Sequence, residues 1–183
     1  WSPDAVSIAF SREGNRRWYI SINRLDGSNS VGLGAEGFDP QWSPDGVKIL
    51  FDCYSGICTM NRDGTNKREI VSEEREGHRR SVDHAKWSPD ATKILFMVRN
   101  EENAKHIWVG HPDGSNIQKI ISRYVIVSSK NDAPQWSPDG KFVVFKSHEE
   151  GELQDLYAIR ADGMNEQRLT CSPEEERDFS ISE

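Results

Sequence analysis

The chain lacks the features that membrane-spanning and nucleic-acid-binding proteins depend on. None of its apolar runs approaches the roughly 20 residues of a membrane span, and the longest are short stretches such as Phe142–Phe145. Its 30 acidic residues outnumber 23 lysines and arginines, which gives a net charge of −7. Because phosphate backbones are bound by clustered positive charge, this balance argues against a nucleic-acid partner. We therefore expect neither membrane insertion nor nucleic-acid binding.

Recognisable catalytic motifs are also missing. The sequence has no Gly-x-Ser-x-Gly elbow of a serine hydrolase, no glycine-rich phosphate loop and no Cys-x-x-Cys pair. His78 and His84 are six residues apart, which is poor spacing for a metal site without a third ligand. We expect a protein that is not an enzyme and that uses neither a cofactor nor a metal ion.

Cysteine is scarce, with three residues in the chain. Cys53 and Cys58 flank the short stretch Tyr54–Ile57. If the segments on either side form a hairpin, the two thiols face each other and form a disulfide, provided that their Cα atoms lie about 4.4–6.8 Å apart. The alternative is a pair of small buried residues with free thiols. A disulfide favours an oxidising compartment, and Cys171 has no evident partner.

What the chain does have is a fourfold repeat. The tetrapeptide Trp-Ser-Pro-Asp occurs at Trp1–Asp4, Trp42–Asp45, Trp87–Asp90 and Trp136–Asp139. The steps between the tryptophans are 41, 45 and 49 residues. A near-constant period of this size indicates a repeat architecture. In such folds the repeats form the scaffold, and function is found where the repeats differ.

The second repeat shows the structural unit most clearly. It alternates short β-prone segments with turn formers, and helical periodicity is almost absent. The strand-like segments are 39–42, 48–51, 57–61 and 67–71, and the turns between them are Ser43–Gly46, Tyr54–Gly56 and Asp63–Asn66. Four antiparallel strands in a repeat of 40 to 50 residues predict a β-propeller blade. A β-sandwich would not explain the fourfold repetition.

The sequence therefore predicts an all-β protein, a β-propeller of four blades with four antiparallel strands each. We expect one domain over residues 1–183, with repeats at approximately 1–38, 39–82, 83–131 and 132–177. The tail Asp178–Ser182 aligns with Asp39–Ser43 and places Ile181 at the tryptophan position. It is therefore a candidate closing strand, 178–182, for the first blade. The alternatives are a fragment of a larger ring and a half-ring that pairs with a second chain.

The pattern Pro-x-Trp-Ser-Pro-Asp-Gly, followed by an apolar strand and an Asp-Gly turn, resembles the TolB-like propeller repeat, also called the PD40 repeat. The resemblance covers nearly the whole chain, although Ala5 and Ala91 replace the glycine and Ala85 replaces the proline. It implies a binding module for protein or peptide partners in a periplasmic or extracellular setting. The alternatives are an accessory substrate-gating propeller of a prolyl-oligopeptidase-type peptidase and an inert fragment of a larger propeller.

Strand parity predicts where a binding site lies. In an up-and-down blade the Ser-Pro-Asp and Asp-Gly turns share one face, which we call the turn face. The second loops and the connections between blades lie at the opposite end, which we call the loop face, and they carry the variation between repeats. Because binding residues concentrate on variable loops held by a rigid scaffold, we expect the site on the loop face, near the axis.

Two groups of residues on the loop face are candidates for partner binding. The first is the basic connection with Arg75, His78, Arg79, Arg80 and His84, which suits a carboxylate or an acidic peptide. The alternative for this group is a solvated loop. The second group starts the innermost strands and includes Phe38, Asp39, His84 and Asp132. These residues line a central opening for a ligand, or they form hydrogen bonds between blades.

Overall fold

The computed structural model describes residues 1–28, 30–72, 74–75, 78–79, 81–99, 104–121, 123–127, 133–148 and 153–171. Of residues 74–75 and 78–79 the backbone alone is described. In these ranges the chain forms strands β1 (Ser7–Gly14), β2 (Arg17–Arg24), β3 (Ser30–Glu36), β4 (Phe38–Trp42), β5 (Lys48–Cys53), β6 (Gly56–Asn61), β7 (Arg68–Ser72), β8 (Glu74–Arg75), β9 (His78–Arg79), β10 (Ser81–Trp87), β11 (Ile94–Arg99), β12 (Lys105–Gly110), β13 (Gln118–Lys119), β14 (Gln135–Trp136), β15 (Phe142–Ser147), β16 (Asp155–Arg160) and β17 (Gln167–Arg168). The described residues contain no helix of the length and apolar character needed to cross a bilayer.

The strands form four antiparallel sheets in chain order, which we call blades 1 to 4. Their strand orders are β1-β2-β3, β4-β5-β6-β7, β10-β11-β12-β13 and β14-β15-β16-β17. The predicted all-β architecture of antiparallel blades is confirmed. Blade 1 has three described strands instead of the predicted four, and the predicted closing strand 178–182 lies outside the described residues, so closure stays a prediction.

The basic connection after blade 2 contains a pair of short strands. β7 continues to Ser72 and β10 already begins at Ser81. Between them β8 and β9 pair as a separate two-stranded hairpin, with Arg75 opposite His78. Arg75, His78 and Arg79 therefore lie on paired strands, and their role in partner binding stays a prediction.

The repeated serine and aspartate build the same turn in every blade. In blade 2 the backbone N–H of Lys48 donates to Ser43 Oγ at 2.9 Å, and the hydroxyl of Ser43 donates to Asp45 Oδ1 at 2.5 Å. The N–H of Val47 donates to the same carboxylate at 3.0 Å. Ser2, Ser88 and Ser137 repeat this arrangement. These side chains satisfy the backbone groups of the turn, so folding alone accounts for the motif on the turn face.

Blade 2 packs against both of its neighbours through apolar side chains on the two faces of its second strand. In β5, Ile49 and Phe51 join a buried cluster with Trp42, next to blade 1, while Leu50 joins a cluster with Trp87, next to blade 3. This two-sided burial explains the continuous apolar run of the second strands. Burying a large aliphatic or aromatic side chain stabilises the fold by about 1.5–3 kcal/mol.

The Asp-Gly turns bring consecutive blades into close contact. Gly64 lies against Leu33 of blade 1, where an added Cβ would meet the Leu33 carbonyl oxygen at 2.8 Å. Gly114 and Gly163 contact Ile70 and Ile120 in the same way. Gly64 also has a φ of +84°, which favours glycine. The glycine of the turn and the apolar residue of the last strand are therefore packing partners in successive blades.

Candidate functional site

A cleft of about 450 Å³ lies between the innermost strands of blades 2 and 3. It is lined by Phe38–Gln41 of β4, Asp83–Lys86 of β10, Asp52 at the end of β5, and Ala133 before β14. Phe38 and Asp83 lie toward the starts of their strands, away from the Ser-Pro-Asp turns. Asp52 is followed by the second loop of blade 2. The cleft is therefore on the loop-face side of the innermost strands.

Matching irregularities in β4 and β10 shape this cleft. The pairing of β4 with β5 shifts between Phe38 and Gln41, and the pairing of β10 with β11 shifts between Asp83 and Lys86. Inside these shifts Asp39 has a φ of 49° and His84 a φ of 57°. Each lies three residues before the tryptophan of its repeat. Bulges of this kind bend a strand and redirect its side chains, and Asp and His are among the non-glycine residues most often found at positive φ.

The cleft carries charges of both signs. Asp39, Asp52 and Asp83 line it, and His84 Nδ1 lies 2.7 Å from Asp83 Oδ1. Lys86 is the lysine in its wall, and burial lowers the pKa of the Lys86 ammonium group. Hydrogen-bond donors and acceptors thus converge on a partly enclosed space, which suits a polar or charged segment of a ligand.

An aromatic pair borders the cleft on the loop face. The rings of Phe38 and Tyr54 pack edge to face with centroids 6.2 Å apart, although both remain substantially exposed. The Tyr54 hydroxyl accepts a hydrogen bond from the backbone N–H of Trp18 at 2.9 Å, and the Arg17 guanidinium lies over the Tyr54 ring at 5.7 Å. Large aromatic side chains held in place but open to solvent are the residues that most often dominate binding energy at interfaces.

The structure brings together three of the four residues named in the second predicted group, at the starts of the innermost strands. Phe38, Asp39 and His84 line the same cleft, whereas Asp132 lies outside the described residues. Arg75, His78 and Arg79 belong to the β8–β9 hairpin, whose backbone alone is described, and Arg80 lies outside the described residues.

Three cleft residues were missed by the sequence reasoning, and one of them left a signal. Asp52, Asp83 and Lys86 all line the cleft. Asp83 holds the same repeat position as Phe38, four residues before the tryptophan, so the prediction for Phe38 could have been extended to Asp83. No such signal marked Asp52, because it belongs to a strand that is otherwise apolar.

A disulfide supports the second loop beneath Tyr54. The sulfur atoms of Cys53 and Cys58 are bonded, and their Cα atoms are 5.8 Å apart. In the β5–β6 ladder Cys58 is opposite Phe51 and Cys53 is opposite Gly56, so the two cysteines are diagonal neighbours. Cys171 is exposed and has a free thiol. Within the described ranges, no three His, Cys, Asp or Glu side chains are arranged to hold a metal ion.

Successive antiparallel sheets, packed face against face around their innermost strands, define this protein as a β-propeller. The sequence model of the TolB β-propeller domain matches residues 1–182. The chain therefore belongs to the TolB β-propeller domain family. Among curated proteins, none matches the chain.

Solved structures with the same fold include TolB from Acinetobacter baumannii, with 19% identity, a TM-score of 0.65, and coverage of 89% of this chain and 40% of that one. The putative TolB from Agrobacterium tumefaciens is 22% identical, with a TM-score of 0.64 over 92% of this chain and 62% of that one. The β-propeller domain of the Trilobed protease from Pyrococcus furiosus is 16% identical, with a TM-score of 0.62 over 90% and 53%. The chain spans less than two thirds of each of these chains.

Proposed function

We propose that this chain is a non-enzymatic binding module that docks a protein or peptide partner on the loop face of its propeller. The observation that carries the proposal is the cleft between β4 and β10, which lies on the loop-face side and is bordered by an exposed aromatic pair. Its volume of about 450 Å³ is within the range of ligand pockets, about 300–1,000 Å³.

The chemistry of the cleft favours a peptide over a purely apolar ligand. The Asp83–His84 pair and Lys86 offer donors and acceptors inside the cleft, while Phe38 and Tyr54 offer apolar contact at its border. An extended peptide presents both kinds of group, with a polar backbone and alternating side chains. The basic residues Arg75, Arg79 and Arg80 of the neighbouring connection would then attract an acidic stretch of the same partner.

A periplasmic or extracellular setting is the second element of the proposal. The Cys53–Cys58 disulfide supports the loop that carries Tyr54, and disulfides persist in oxidising compartments. Similarity to the two TolB structures supports the same setting by analogy of fold.

A second candidate function is an accessory propeller of a peptidase. The similarity to the propeller domain of the Trilobed protease favours it. In this case the propeller would gate access to a hydrolase domain encoded in the same gene. An inert fragment of a larger propeller is the remaining alternative, and it predicts no binding at all.

An affinity capture from a bacterial envelope extract tests the proposal with four baits. They are the wild-type chain, an Arg79→Glu/Arg80→Glu variant, a Phe38→Ala/His84→Asn cleft variant, and an Arg24→Glu/Lys141→Glu control. The control makes the same change of charge as the first variant, but at exposed side chains of the turn face. Asparagine replaces His84 because it tolerates positive φ.

We expect one partner to be retained by the wild-type chain and by the turn-face control, and to be lost from both loop-face variants. Equal capture by all four baits would contradict a loop-face site. Capture of no specific partner by any bait would favour the peptidase accessory or the inert fragment, and the sequence of the parent gene would separate those two.

A further inference from the structure

Lys86 lies at a repeat position that holds glutamine in two other blades. The residue directly before the tryptophan is Gln41 in blade 2 and Gln135 in blade 4, but Lys86 in blade 3. The side chain of Gln41 links two blades, because its Nε2 donates to the backbone carbonyl of Ala85 at 2.7 Å. The counterpart of Ala85 in blade 4 is Pro134, so a glutamine at position 86 would reach the Pro134 carbonyl in the same manner. Lys86 thus departs from the repeat at a position that joins blades 2 and 3 when it holds glutamine.

The ammonium group of Lys86 makes no hydrogen bond or ion pair with the residues that the structure describes. Lys86 is half-buried in the wall of the cleft. Burial alone lowers the pKa of its ammonium group, and no nearby carboxylate raises that pKa. Lysine side chains usually carry their charge into water, and a partly buried charge without a partner costs free energy. Folding therefore does not account for a lysine here.

The acidic side chains of the cleft are engaged with other groups. Asp83 Oδ1 lies 2.7 Å from His84 Nδ1, and Asp39 and Asp52 have interactions of their own. Burial is the cause of the Lys86 pKa shift, so these carboxylates do not pair with the lysine. The cleft therefore presents an ammonium group whose charge no described residue matches.

The backbone of Lys86 is held in place by its neighbours. It lies opposite Leu95 in the β10–β11 ladder, and its carbonyl accepts a hydrogen bond from Trp136 Nε1 at 3.3 Å. The Trp136 side chain is more than nine-tenths buried, so this contact is shielded from water. Binding groups are most precise when rigid elements carry them, and β10 presents Lys86 to the cleft in this way.

We propose that the ammonium group of Lys86 binds a carboxylate of the peptide that occupies the cleft. This inference rests on the proposed function, which supplies a peptide ligand, and it names the group by which that ligand is held. Carboxylates are the anionic groups of an unmodified peptide, and they belong to Asp and Glu side chains or to the C-terminus. A hydrogen bond between two charged groups is about twice as strong as one between neutral groups.

Four acetylated tetrapeptides serve as probes. One is Gly-Gly-Glu-Gly with an amidated end, which offers a side-chain carboxylate, and one is Gly-Gly-Gln-Gly with a free carboxyl end. The controls are amidated Gly-Gly-Gln-Gly, which is neutral, and amidated Gly-Gly-Lys-Gly, which offers a cation to the aspartates of the cleft. Each is added to the full ¹⁵N-labelled chain at neutral pH and constant ionic strength, and the backbone amide signals of β10 are followed by NMR.

We expect a carboxylate peptide at millimolar concentration to shift the amide signals of His84 and Lys86, while both controls leave them unchanged. The carboxylate peptide that binds more tightly identifies the source of the carboxylate. For Lys86→Gln the Kd should rise about tenfold, because one charged hydrogen bond is lost. Lys86→Arg keeps the charge and should retain most of the affinity. Lys119→Gln removes the same charge at an exposed site on β13 and should bind like the wild-type chain.

The stability of Lys86→Gln separates binding from folding. Glutamine restores the residue of the other blades and leaves no unmatched charge, so the melting temperature should stay the same or rise. A melting temperature clearly below that of the wild-type chain would assign the lysine to folding and overturn the proposal.

Two binding results would also overturn it. The first is undiminished affinity of Lys86→Gln for the carboxylate peptides. The second is a response to the Lys peptide in place of the carboxylate peptides, which would show that the cleft receives a cation. Neither result touches the docking of a protein partner, which the four baits test separately. Conversely, carboxylate binding at Lys86 with no partner captured by any bait would support this site and count against the proposed function.

Discussion

The indole nitrogen of Trp136 donates a hydrogen bond across 3.3 Å to the backbone carbonyl of Lys86, one blade earlier in the chain. The same tryptophan belongs to the apolar cluster that joins β11 and β12 to β15 and β16. One side chain therefore combines apolar burial with a specific polar contact between consecutive blades. Trp87 makes the same contact with the carbonyl of Gln41, so this relationship accounts for the tryptophans that precede the Ser-Pro-Asp turns of blades 3 and 4.

Replacing such a tryptophan by alanine should destabilise the protein strongly. For Trp87→Ala we expect the free energy of unfolding to fall by about 3–5 kcal/mol, because a buried ring and its cavity are lost together. Urea unfolding followed by circular dichroism measures this difference. Trp1→Ala is the matched control, since Trp1 is 76% exposed and should change stability by less than about 0.5 kcal/mol. Equal effects of the two variants would contradict the role assigned to the buried tryptophans.

The Ser-Pro-Asp turns should make stability depend on acidic pH. Hydrogen bonds from the Ser137 hydroxyl and from the Lys141 backbone lower the pKa of Asp139 from 3.8 to about 2. The pKa is thus lower in the folded than in the unfolded chain, so the contribution of Asp139 is complete above about pH 4. It is lost as the pH falls through about 2.

Ser137→Ala removes the largest cause of that pKa shift. We expect the variant to be less stable than the wild-type chain at neutral pH and to lose less stability between about pH 4 and pH 2. Thermal unfolding at several pH values measures both effects. Ser30→Ala, at an exposed serine of β3, is the control and should follow the wild-type curve. Parallel curves for wild type and Ser137→Ala would rule out this linkage.

The disulfide should contribute to stability in spite of its short loop. Cys53 and Cys58 are five residues apart, and closing a loop of this size stabilises a protein by about 2 kcal/mol in the chain-entropy model. We expect Cys53→Ala/Cys58→Ala to unfold at lower urea concentration and to be insensitive to reductant. The wild-type chain should lose a similar amount of stability on reduction, and Cys171→Ala should not change its response. Wild-type stability that is unaffected by reductant would contradict this account.

Gly56 is the glycine at which we expect the largest effect of an added methyl group. Its φ is +145°, and a Cβ would meet the Val71 carbonyl oxygen at 2.0 Å. Gly56→Ala must therefore displace the β6–β7 ladder, at a cost of at least about 2 kcal/mol. At Gly27, with φ +73° and open space around it, alanine should cost about 1 kcal/mol. Urea unfolding of the two variants measures which of them loses more stability. An equal or smaller loss for Gly56→Ala would show that the Val71 backbone moves aside without cost.

The repeat made most of the blade architecture predictable from the sequence. Each Ser-Pro-Asp turn uses side chains to satisfy its own backbone, as the contacts of Ser43 and Asp45 show, so local sequence determines it. The sequence also has an apolar residue seven positions after the aspartate of each Asp-Gly turn, as Leu33 follows Asp26. The role of this residue could not be predicted, because the contact between Leu33 and Gly64 joins two different blades.

The cleft could be predicted in position but only in part in composition. Strand parity placed it on the loop face, and Phe38, Asp39 and His84 line it. Asp39 and His84 have positive φ because the pairing of β4 with β5 and of β10 with β11 shifts register at these residues. No local sequence pattern predicts such a shift.

Hydrogen–deuterium exchange of the chain with its captured partner shows which face of the propeller the partner covers. We predict slower exchange at the starts of β4 and β10 and in the loop with Tyr54. The Ser-Pro-Asp and Asp-Gly turns should be unchanged. Slower exchange confined to those turns, with no change at β4 and β10, would show that the partner binds the turn face instead of the loop face.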